Sequence, residues 1–320
     1  MKIEIAKVLS NVERIDLLSG YFQIFQDPPP NISHYIVKNG AADVFLIPHD
    51  AMHWTHDYRR FVSSLTQEKP VIFFNRGDYP VRIELKNAYS IQNVFSRNNT
   101  ATILAPYNVI NLGLRNLREH KQEPTISFVG FVPKLLSRRL LRFDIRTLLN
   151  PFQNSSAIVR RFGTHNLKRQ FSNSEVITRN HYGGSSRLIE DPTNFRENFV
   201  RSIHNSDLVF SPRGDANGSQ RFFETLSAGR IPIFPRTGIR IPLLTTIEPE
   251  MTYLCCSTLS FDISEVVMSW WSNITNSEFK DMQLNNHQIY RDKLDYRKFM
   301  INFFDSDVSI LKHLAEVGIR

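Results

Sequence analysis

The stretch from Asp207 to Phe234, DLVFSPRGDANGSQRFFETLSAGRIPIF, has the pattern of a strand, a turn, a helix and a second strand. Its short apolar run ends at Pro212, and the following loop holds two glycines, which permit a tight turn or a close approach of the backbone to a ligand. Ser219 is a favourable N-cap, and Gly229 is a typical residue at the end of a helix. The stretch therefore predicts a loop that leads directly into a helix N-terminus.

Two charged residues of this helix indicate that it binds a phosphate-containing ligand. Arg221 lies in the first turn, where the positive end of the helix dipole opposes a cation. A phosphate bound by the free N–H groups of that turn, with Arg221 and Arg213 beside it, would remove the conflict. Glu224, one turn further on, would then be within reach of ribose hydroxyls. The alternative is that Arg221 and Glu224 form a solvent-exposed ion pair of little energetic value.

The same stretch resembles the signature of the exostosin-like glycosyltransferases, family 47 of the sugar-transferase classification. That signature runs approximately C-P-R-G-D, S-x-R-F-Y-E-A-L and A-G-C-I-P-V. The sequence departs from it at Ser211 for Cys, Phe223 for Tyr, Thr225 for Ala and Arg230 for Cys, and none of these changes removes a group that the chemistry needs. The matching residues are Pro212, Arg213, Gly214, Asp215, Ser219, Arg221, Phe222, Glu224, Leu226, Ala228, Gly229, Ile231 and Pro232.

This resemblance implies an α/β fold of the GT-B type, in which two Rossmann-like, doubly wound domains face each other across a cleft. It implies transfer of a sugar from a UDP-sugar donor to a hydroxyl group of a glycan, with inversion at the anomeric carbon. Arg213, Arg221, Gly218 and Ser219 would hold the departing diphosphate, with Glu224 on the ribose. No cofactor would be required besides the UDP-sugar, which is itself the donor substrate, and no metal if the cations of the site suffice for the diphosphate.

The rest of the chain alternates strand-like and helix-like segments, which supports a mostly parallel α/β arrangement. The predicted domains are an acceptor-side domain over 1–123, a nucleotide-sugar-binding domain over 124–300, and a C-terminal helix within 301–320 that packs back on the first domain. The predicted strands are 42–48, 70–74, 102–106, 126–130 and 176–178, and the predicted helices are a segment up to Thr66, 135–150, 194–204, 263–271 and 305–317.

The catalytic base is expected on a loop after a strand of the first domain, because ligands bind at the carboxyl ends of parallel strands. Asp50 is the first choice, since it follows the strand that resembles the A-D-x-F-x-V-P strand of the family. His49, His53 and Asp78 are the alternatives. Each of them is equally explained as a turn or capping residue.

The resemblance also implies a second group of donor ligands. In exostosin-like enzymes, a strand that ends in glycine and a helix that bears arginine open the nucleotide-binding domain, and 126–130 with 135–150 looks like that segment. Arg138 or Arg139 would then reach the diphosphate from the opposite side. The alternative is that both are solvated residues of an amphipathic helix.

No cluster of His and Cys residues has the spacing of a metal site. Asp305-Ser-Asp307 has the D-x-D spacing with which other sugar transferases bind a metal, but here it is predicted to be a helix start with a capping aspartate. A metal-independent enzyme is therefore expected.

The net charge of +8 and the pI near 9.5 indicate an anionic partner. The competing function is a protein that binds nucleic acid or an anionic polymer without catalysis. Against it, the sequence has no nucleic-acid fold signature and no repeated interleaving of aromatic and basic residues. A third possibility is a protein that binds a sugar nucleotide without turning it over. The oligomeric state is not predicted.

The N-terminal segment has charges within every apolar run, so neither a signal peptide nor a transmembrane anchor is predicted. The two cysteines, Cys255 and Cys256, are adjacent, which is unfavourable for a structural disulfide and indicates a reducing compartment. A cytoplasmic location, in a bacterial cell or a virus-infected host, is expected, with peripheral attachment to a membrane as a further option.

Overall fold

In the part of the chain that the structure describes, the strands form two parallel β-sheets of five strands each. The chain divides into two compact units, the first made of Met1–Asn108, Ile239–Pro242 and Leu294–Arg320, the second of Val109–Gly238 and Leu243–Lys293. The computed structural model describes residues 2–5, 41–50, 56–75, 85–92, 102–132, 156–179, 192–214, 218–236, 251–257, 260–307, 309 and 311.

Strands and helices alternate along most of the chain. In chain order they are β1 (Ile3–Ile5), β2 (Val44–Asp50), α1 (His56–Glu68), β3 (Val71–Asn75), β4 (Ala88–Gln92), β5 (Thr102–Leu104), β6 (Ile126–Phe131), α2 (Ser156–Gln170), β7 (Ser174–Arg179), α3 (Pro192–His204), β8 (Leu208–Phe210), α4 (Gln220–Ser227), β9 (Ile231–Pro235), β10 (Leu254–Cys256), α5 (Ile263–Asn273), α6 (Asn276–Ile289) and α7 (Tyr296–Asp305), with a π-helical turn at Tyr290–Leu294.

The sheet of the first unit has the order β1-β2-β3-β4-β5, and its paired strands are parallel. Because successive residues of a strand point to opposite faces, each buried strand supplies two cores. Phe45 and Ile47 pack with Val62 of α1 on one face, whereas Val44 and Leu46 pack with α7 on the other. Helices therefore cover both faces of this sheet.

The sheet of the second unit has the order β10-β9-β8-β6-β7, again with parallel pairs. Phe128 and Phe210 face a core that includes residues of α2, α5 and α6, and Val129 and Val209 face a second core that includes residues of α3. Since both sheets are parallel and have helices on both faces, the prediction of an α/β fold with two Rossmann-like, doubly wound units is confirmed.

The segment 109–123 carries no helix or strand, yet several hydrogen bonds attach it to the second unit. The N–H of Leu112 donates to Oγ of Ser227 at 3.0 Å, and the N–H of Arg118 donates to Oε1 of Gln283 at 2.9 Å. These bonds satisfy backbone groups that the segment cannot pair with itself.

The helix predicted over 305–317 does not start at Asp305; Leu311 is helical again, and residues 312–320 lie outside the described residues. Asp305 is the last residue of α7, and the side chain of Asp295 caps the beginning of that helix by accepting a hydrogen bond from the N–H of Lys298 at 2.9 Å. The buried apolar residues of the helix run from Tyr296 to Phe304, so its core-facing pattern places it before Asp305. A favourable capping residue alone was misleading, because the apolar spacing decides where a helix lies.

Within the described part of the chain, no three or more His, Cys, Asp and Glu side chains are grouped so that they could hold a metal ion. None of the described helices combines the length and the apolar character needed to cross a membrane. Both cysteines are free; Cys255 is exposed and Cys256 is buried, and burial raises the pKa of the Cys256 thiol to about 12.

Candidate anion-binding site

The order of the second sheet defines a place where ligands bind in folds of this kind. The chain goes from β6 outward to β7 and then returns to the other side of β6 for β8, so the order reverses between β6 and β8. In open parallel sheets, ligands bind outside the carboxyl ends of the strands at such a switch point. Here that end carries Gly130 and Phe131 of β6 and the loop after β8, whose Gly214 N–H donates to the carbonyl of Gly218 at 3.0 Å.

Arg221 lies at this switch point. Its Nη2 donates to the carbonyl of Val129 in β6 at 2.7 Å, and its Nη1 donates to the carbonyl of Phe210 in β8 at 3.4 Å. The guanidinium also lies 4.4 Å from the centre of the Phe128 ring and 5.4 Å from that of Phe199. Its Nε is buried and has no hydrogen-bond partner among the described residues. The protein thus fixes the position of this cation while leaving one donor unused.

Three further arginines lie at the same ends of the strands. Arg160 of α2 donates to the carbonyls of Phe131 and Arg213, each at 3.2 Å. Arg179, the last residue of β7, lies 3.4 Å from the centre of the Phe195 ring, and its Nη1 is buried without a partner in the part of the chain that the structure describes. Arg213 is 3 % exposed, and its Nε donates to the carbonyl of Gly214 at 3.5 Å.

The electrostatics of the cluster favour an anion. Burial is the main cause that lowers the pKa of Arg221 well below its usual range, and the nearby positive charges of Arg160 and Arg179 lower it further, whereas Glu224 opposes the shift. Burial also lowers the pKa of Arg179. A lowered pKa of a guanidinium means that the protein itself compensates its charge poorly. An anion with several oxygens, such as a diphosphate, would compensate these charges.

Glu224 is buried, and the exposed Arg221–Glu224 ion pair that was the alternative interpretation is not formed. Oε1 of Glu224 lies 2.7 Å from Nη1 of Arg196 in α3. The carboxylate is 7 % exposed, so it lies inside the site rather than on the surface.

The start of α4 has the conformation that the sequence predicts. Ser219 is the N-cap, with extended backbone angles, and its side chain makes no capping hydrogen bond. Gly229 has a φ of +66° directly after the helix, which is the left-handed conformation that glycine adopts without strain. Asp215, Ala216 and Asn217 of the loop lie outside the described residues.

Arg230, which occupies a position where the exostosin-like signature has Cys, is a structural residue. It is 1 % exposed, and it donates to the carbonyl of His204 at 2.9 Å, to Oε1 of Gln283 at 3.0 Å and to the carbonyl of Asn116 at 3.1 Å. The side chain therefore connects α3, α6 and the segment 109–123. This departure from the signature does not alter the anion site.

The remaining predicted site residues stay predictions. Asp50 is the last residue of β2, at its carboxyl end, and His49 precedes it in the same strand, but the structure does not describe the side chain of either. The four others lie wholly outside the described residues: His53, Asp78, Arg138 and Arg139.

Sequence reasoning did not assign Arg160, Arg179 or Arg196 to the site. For Arg179 a signal existed, because it lies at the carboxyl end of a predicted parallel strand, the same kind of position that favours Asp50. Arg160 is one of two adjacent arginines in a basic patch, and no local pattern indicates its contact with a residue as distant as Arg213.

Gly130 keeps open the space that Arg221 occupies. A Cβ atom at Gly130 would lie 2.7 Å from Nη2 of Arg221 and 3.1 Å from Cζ of Phe128. In Gly130→Ala we therefore expect Arg221 to move, with an affinity for inorganic pyrophosphate that is about tenfold weaker by calorimetry, the equivalent of one displaced charge-assisted hydrogen bond. Because the displaced guanidinium also loses contact with Val129 and Phe128, some loss of stability is expected too, and the titration should be made at a temperature at which the variant is folded.

Gly163→Ala is the contrasting variant. Its Cβ would lie 2.2 Å from Cζ of the buried Phe210, which has no room to move, so this variant should lose stability. Pyrophosphate binding that is unchanged in Gly130→Ala would show that the position of Arg221 does not matter for the anion.

The fold and the arginine cluster together define an α/β protein with two Rossmann-like units and a candidate anion site at the switch point of the second. No protein-family model matches the chain, and neither does any curated protein.

Among solved structures, the chain is similar to a glycosyltransferase from Rickettsia africae, with 10 % identity, a TM-score of 0.45, and coverage of 98 % of this chain and 97 % of that one. It is also similar to HepE from Anabaena in complex with UDP, with 11 % identity, a TM-score of 0.44, and coverage of 99 % and 100 % of the two chains. A third such structure is the sucrose-phosphate synthase of Thermosynechococcus elongatus, with 10 % identity, a TM-score of 0.43, and coverage of 93 % and 80 %. These similarities are too distant to assign a role to any residue.

Proposed function

We propose that the chain is a glycosyltransferase that moves a sugar from a UDP-sugar donor to a hydroxyl group of a glycan. The observation that carries this proposal is the cluster of Arg160, Arg179, Arg213 and Arg221 at the switch point, beside the N-terminus of α4. The loop and helix in which two of these arginines lie resemble the signature of the exostosin-like enzymes, which supports membership of that family.

In this proposal the arginine cluster stabilises the departing diphosphate. The bond between the anomeric carbon and the diphosphate oxygen breaks, and its electron pair stays on that oxygen, where negative charge develops. Cations already fixed in place stabilise such charge without reorganisation during the reaction. Because the guanidinium groups supply this charge, we propose that no metal is required. Gly218, Ser219 and one of Arg138 and Arg139 are the further donor ligands that the resemblance implies.

Glu224 is assigned to the ribose of the nucleotide. Its carboxylate is buried beside the cluster and uses Oε1 for Arg196. Oε2 is the atom that we assign to a ribose hydroxyl, which would donate a hydrogen bond to it.

The acceptor side of the reaction is assigned to the first unit. A base there accepts the proton of the acceptor hydroxyl while the new glycosidic bond forms, with inversion at the anomeric carbon. Asp50, at the carboxyl end of β2, is the first choice, and His49, His53 and Asp78 are the alternatives. A product that retains the anomeric configuration of the donor would contradict the inverting mechanism.

Thermal unfolding in the presence of UDP tests the proposal. A ligand that binds only the folded state stabilises it by about 2.7 kcal/mol at a concentration about 100 times its Kd, so UDP should raise the unfolding temperature. Uridine, which lacks the diphosphate, should produce little or no shift. A panel of UDP-sugars should then release UDP slowly, and faster when the correct acceptor is added.

Three outcomes would contradict the proposal. If UDP causes no shift while DNA or RNA binds with a steep dependence on salt, the protein is a nucleic-acid-binding protein. If UDP binds but no UDP-sugar is turned over with any glycan, the protein binds sugar nucleotides without catalysis. If a chelator abolishes turnover, the metal-independent mechanism is wrong.

A further inference from the structure

We propose that Arg196 is a positioning residue that keeps the carboxylate of Glu224 away from Arg221, so that Arg221 remains available to the donor diphosphate and Glu224 to the ribose. This inference rests on the proposed donor site and adds to it a residue that no motif of the sequence indicates.

The first step concerns the two partners that Glu224 has within reach. Arg221 and Glu224 are three residues apart on α4 and therefore lie on neighbouring positions of the helix surface. Their charges act on each other, because Glu224 raises the pKa of Arg221 against the other causes that lower it. Nevertheless the ion pair of Glu224 is with Arg196, at 2.7 Å.

The second step is that a buried carboxylate requires a partner. Glu224 is 7 % exposed, and an unpaired charge at such a position is strongly unfavourable. If Arg196 is removed, the closest remaining cation on the same helix is Arg221. A carboxylate that turns to Arg221 would neutralise the charge that the diphosphate needs.

The third step is that α3 fixes the relevant side chains by ring contacts. The guanidinium of Arg196 lies 5.1 Å from the centre of the Phe199 ring, and that of Arg221 lies 5.4 Å from the same ring. One turn earlier, Phe195 lies under Arg179. Cation–π contacts of this kind stabilise each guanidinium where it is. The ring of Phe199 thus contacts both cations, but only Arg196 forms an ion pair with the carboxylate of Glu224.

Arg196 is also placed so that it can be changed without loss of the fold. Its side chain is 39 % exposed, and it borders an open pocket of about 450 Å³ that Arg115 and Arg201 also line. Truncation there leaves no cavity in either core, so Arg196→Ala should remain folded.

The test compares Arg196→Ala, Glu224→Gln and the double variant, with inorganic pyrophosphate and UDP as calorimetric probes. Arg196→Ala should bind pyrophosphate about tenfold more weakly, because Glu224 then neutralises Arg221. Glu224→Gln should bind pyrophosphate at least as well as the wild type, since it removes a negative charge. The double variant should recover the pyrophosphate affinity of the wild type, because the amide cannot neutralise Arg221.

Ribose recognition gives a second, independent readout. The wild type should prefer UDP to 2′-deoxyuridine diphosphate, and this preference should decrease in Arg196→Ala, in Glu224→Gln and in the double variant. Arg196→Lys retains a cation for Glu224. It should therefore keep most of the pyrophosphate affinity and most of the preference for UDP over 2′-deoxyuridine diphosphate. Arg201 is an exposed arginine of the same helix, and its side chain bonds only to Asn198 among the described residues. Arg201→Ala is therefore the matched control and should behave as the wild type.

Two results would overturn the inference while leaving the proposed function intact. One is wild-type pyrophosphate affinity in Arg196→Ala. The other is a double variant as weak as Arg196→Ala, since Arg196 would then be a direct ligand or a structural residue. If the wild type binds neither pyrophosphate nor UDP, the donor site itself is wrong, and the inference is wrong with it.

Discussion

Replacing Arg221 by alanine is expected to weaken the binding of UDP by about 100-fold or more, the equivalent of about 2.7 kcal/mol. The guanidinium spans the carboxyl ends of β6 and β8, through its bonds to the carbonyls of Val129 and Phe210. A diphosphate bound at the switch point would therefore lie beside this cation. Isothermal titration of UDP into the wild type and the variant measures the difference directly.

The same substitution removes two hydrogen bonds to the strands, so a loss of stability has to be separated from a loss of affinity. The titration should be made at a temperature at which circular dichroism shows that the variant is folded. Arg221→Lys retains a charge but not the planar fork, and its affinity should lie between those of the wild type and Arg221→Ala. If Arg221→Ala is folded and binds UDP as the wild type does, the anion does not bind at this switch point.

The half of the site that lies on α4 was predictable from the sequence because its determinants are local. The apolar run of β8, the glycine-containing loop and Ser219 stand in succession, and Gly229 has the positive φ expected at the end of the helix. Each of these features depends on residues that are neighbours in the chain.

The other half comes from α2, α3 and β7, and only the sheet order brings these elements to the same place. Arg160 bonds to the carbonyl of Arg213, which is 53 residues further along the chain, and the partner of Glu224 is Arg196 of α3. A single sequence offers no local pattern for such contacts. The sheet order would have indicated them, because it determines which strand ends lie together.

Two helices show which local signals were available. Helix α6 begins with a complete capping box, in which Thr275 accepts from the N–H of Glu278 and the Glu278 side chain accepts from the N–H of Thr275. The T-x-x-E sequence is a local signal for this start, and it was not used in predicting the helices. Helix α7, by contrast, was not predicted, although its buried apolar residues run from Tyr296 to Phe304, and Asp305, which was expected to start a helix, is its last residue.

Asp207, the first residue of the stretch that decides the fold, is expected to have the largest effect on stability. Its side chain is fully buried, it forms an ion pair with Nε of Arg118, and it accepts a hydrogen bond from the N–H of Thr125 at 2.7 Å. Asp207→Ala should lower the free energy of unfolding by about 3–5 kcal/mol, the usual effect of removing one partner of a buried ion pair. Urea unfolding followed by tryptophan fluorescence reports on the second unit through Trp271, which is buried in its core.

The reason for so large an effect is that the buried Asp207 carboxylate accepts from two donors. Without it, the guanidinium of Arg118 and the N–H of Thr125, immediately before β6, are left without that acceptor. The loss of stability in the double variant Arg118→Ala/Asp207→Ala should therefore be smaller than the sum of the losses in the two single variants. The double variant no longer contains a guanidinium that has lost its carboxylate partner.

A surface ion pair of the same unit is the matched control. Glu119 lies next to Arg118 in the chain, and its carboxylate is 2.7 Å from Nζ of Lys280, but its side chain is 61 % exposed. Glu119→Ala should leave the urea midpoint unchanged, because solvent compensates both charges. If Asp207→Ala lowered the urea midpoint no more than Glu119→Ala does, water would have to replace the carboxylate in the interior. The role of Asp207 in joining β6 and β8 would then be excluded.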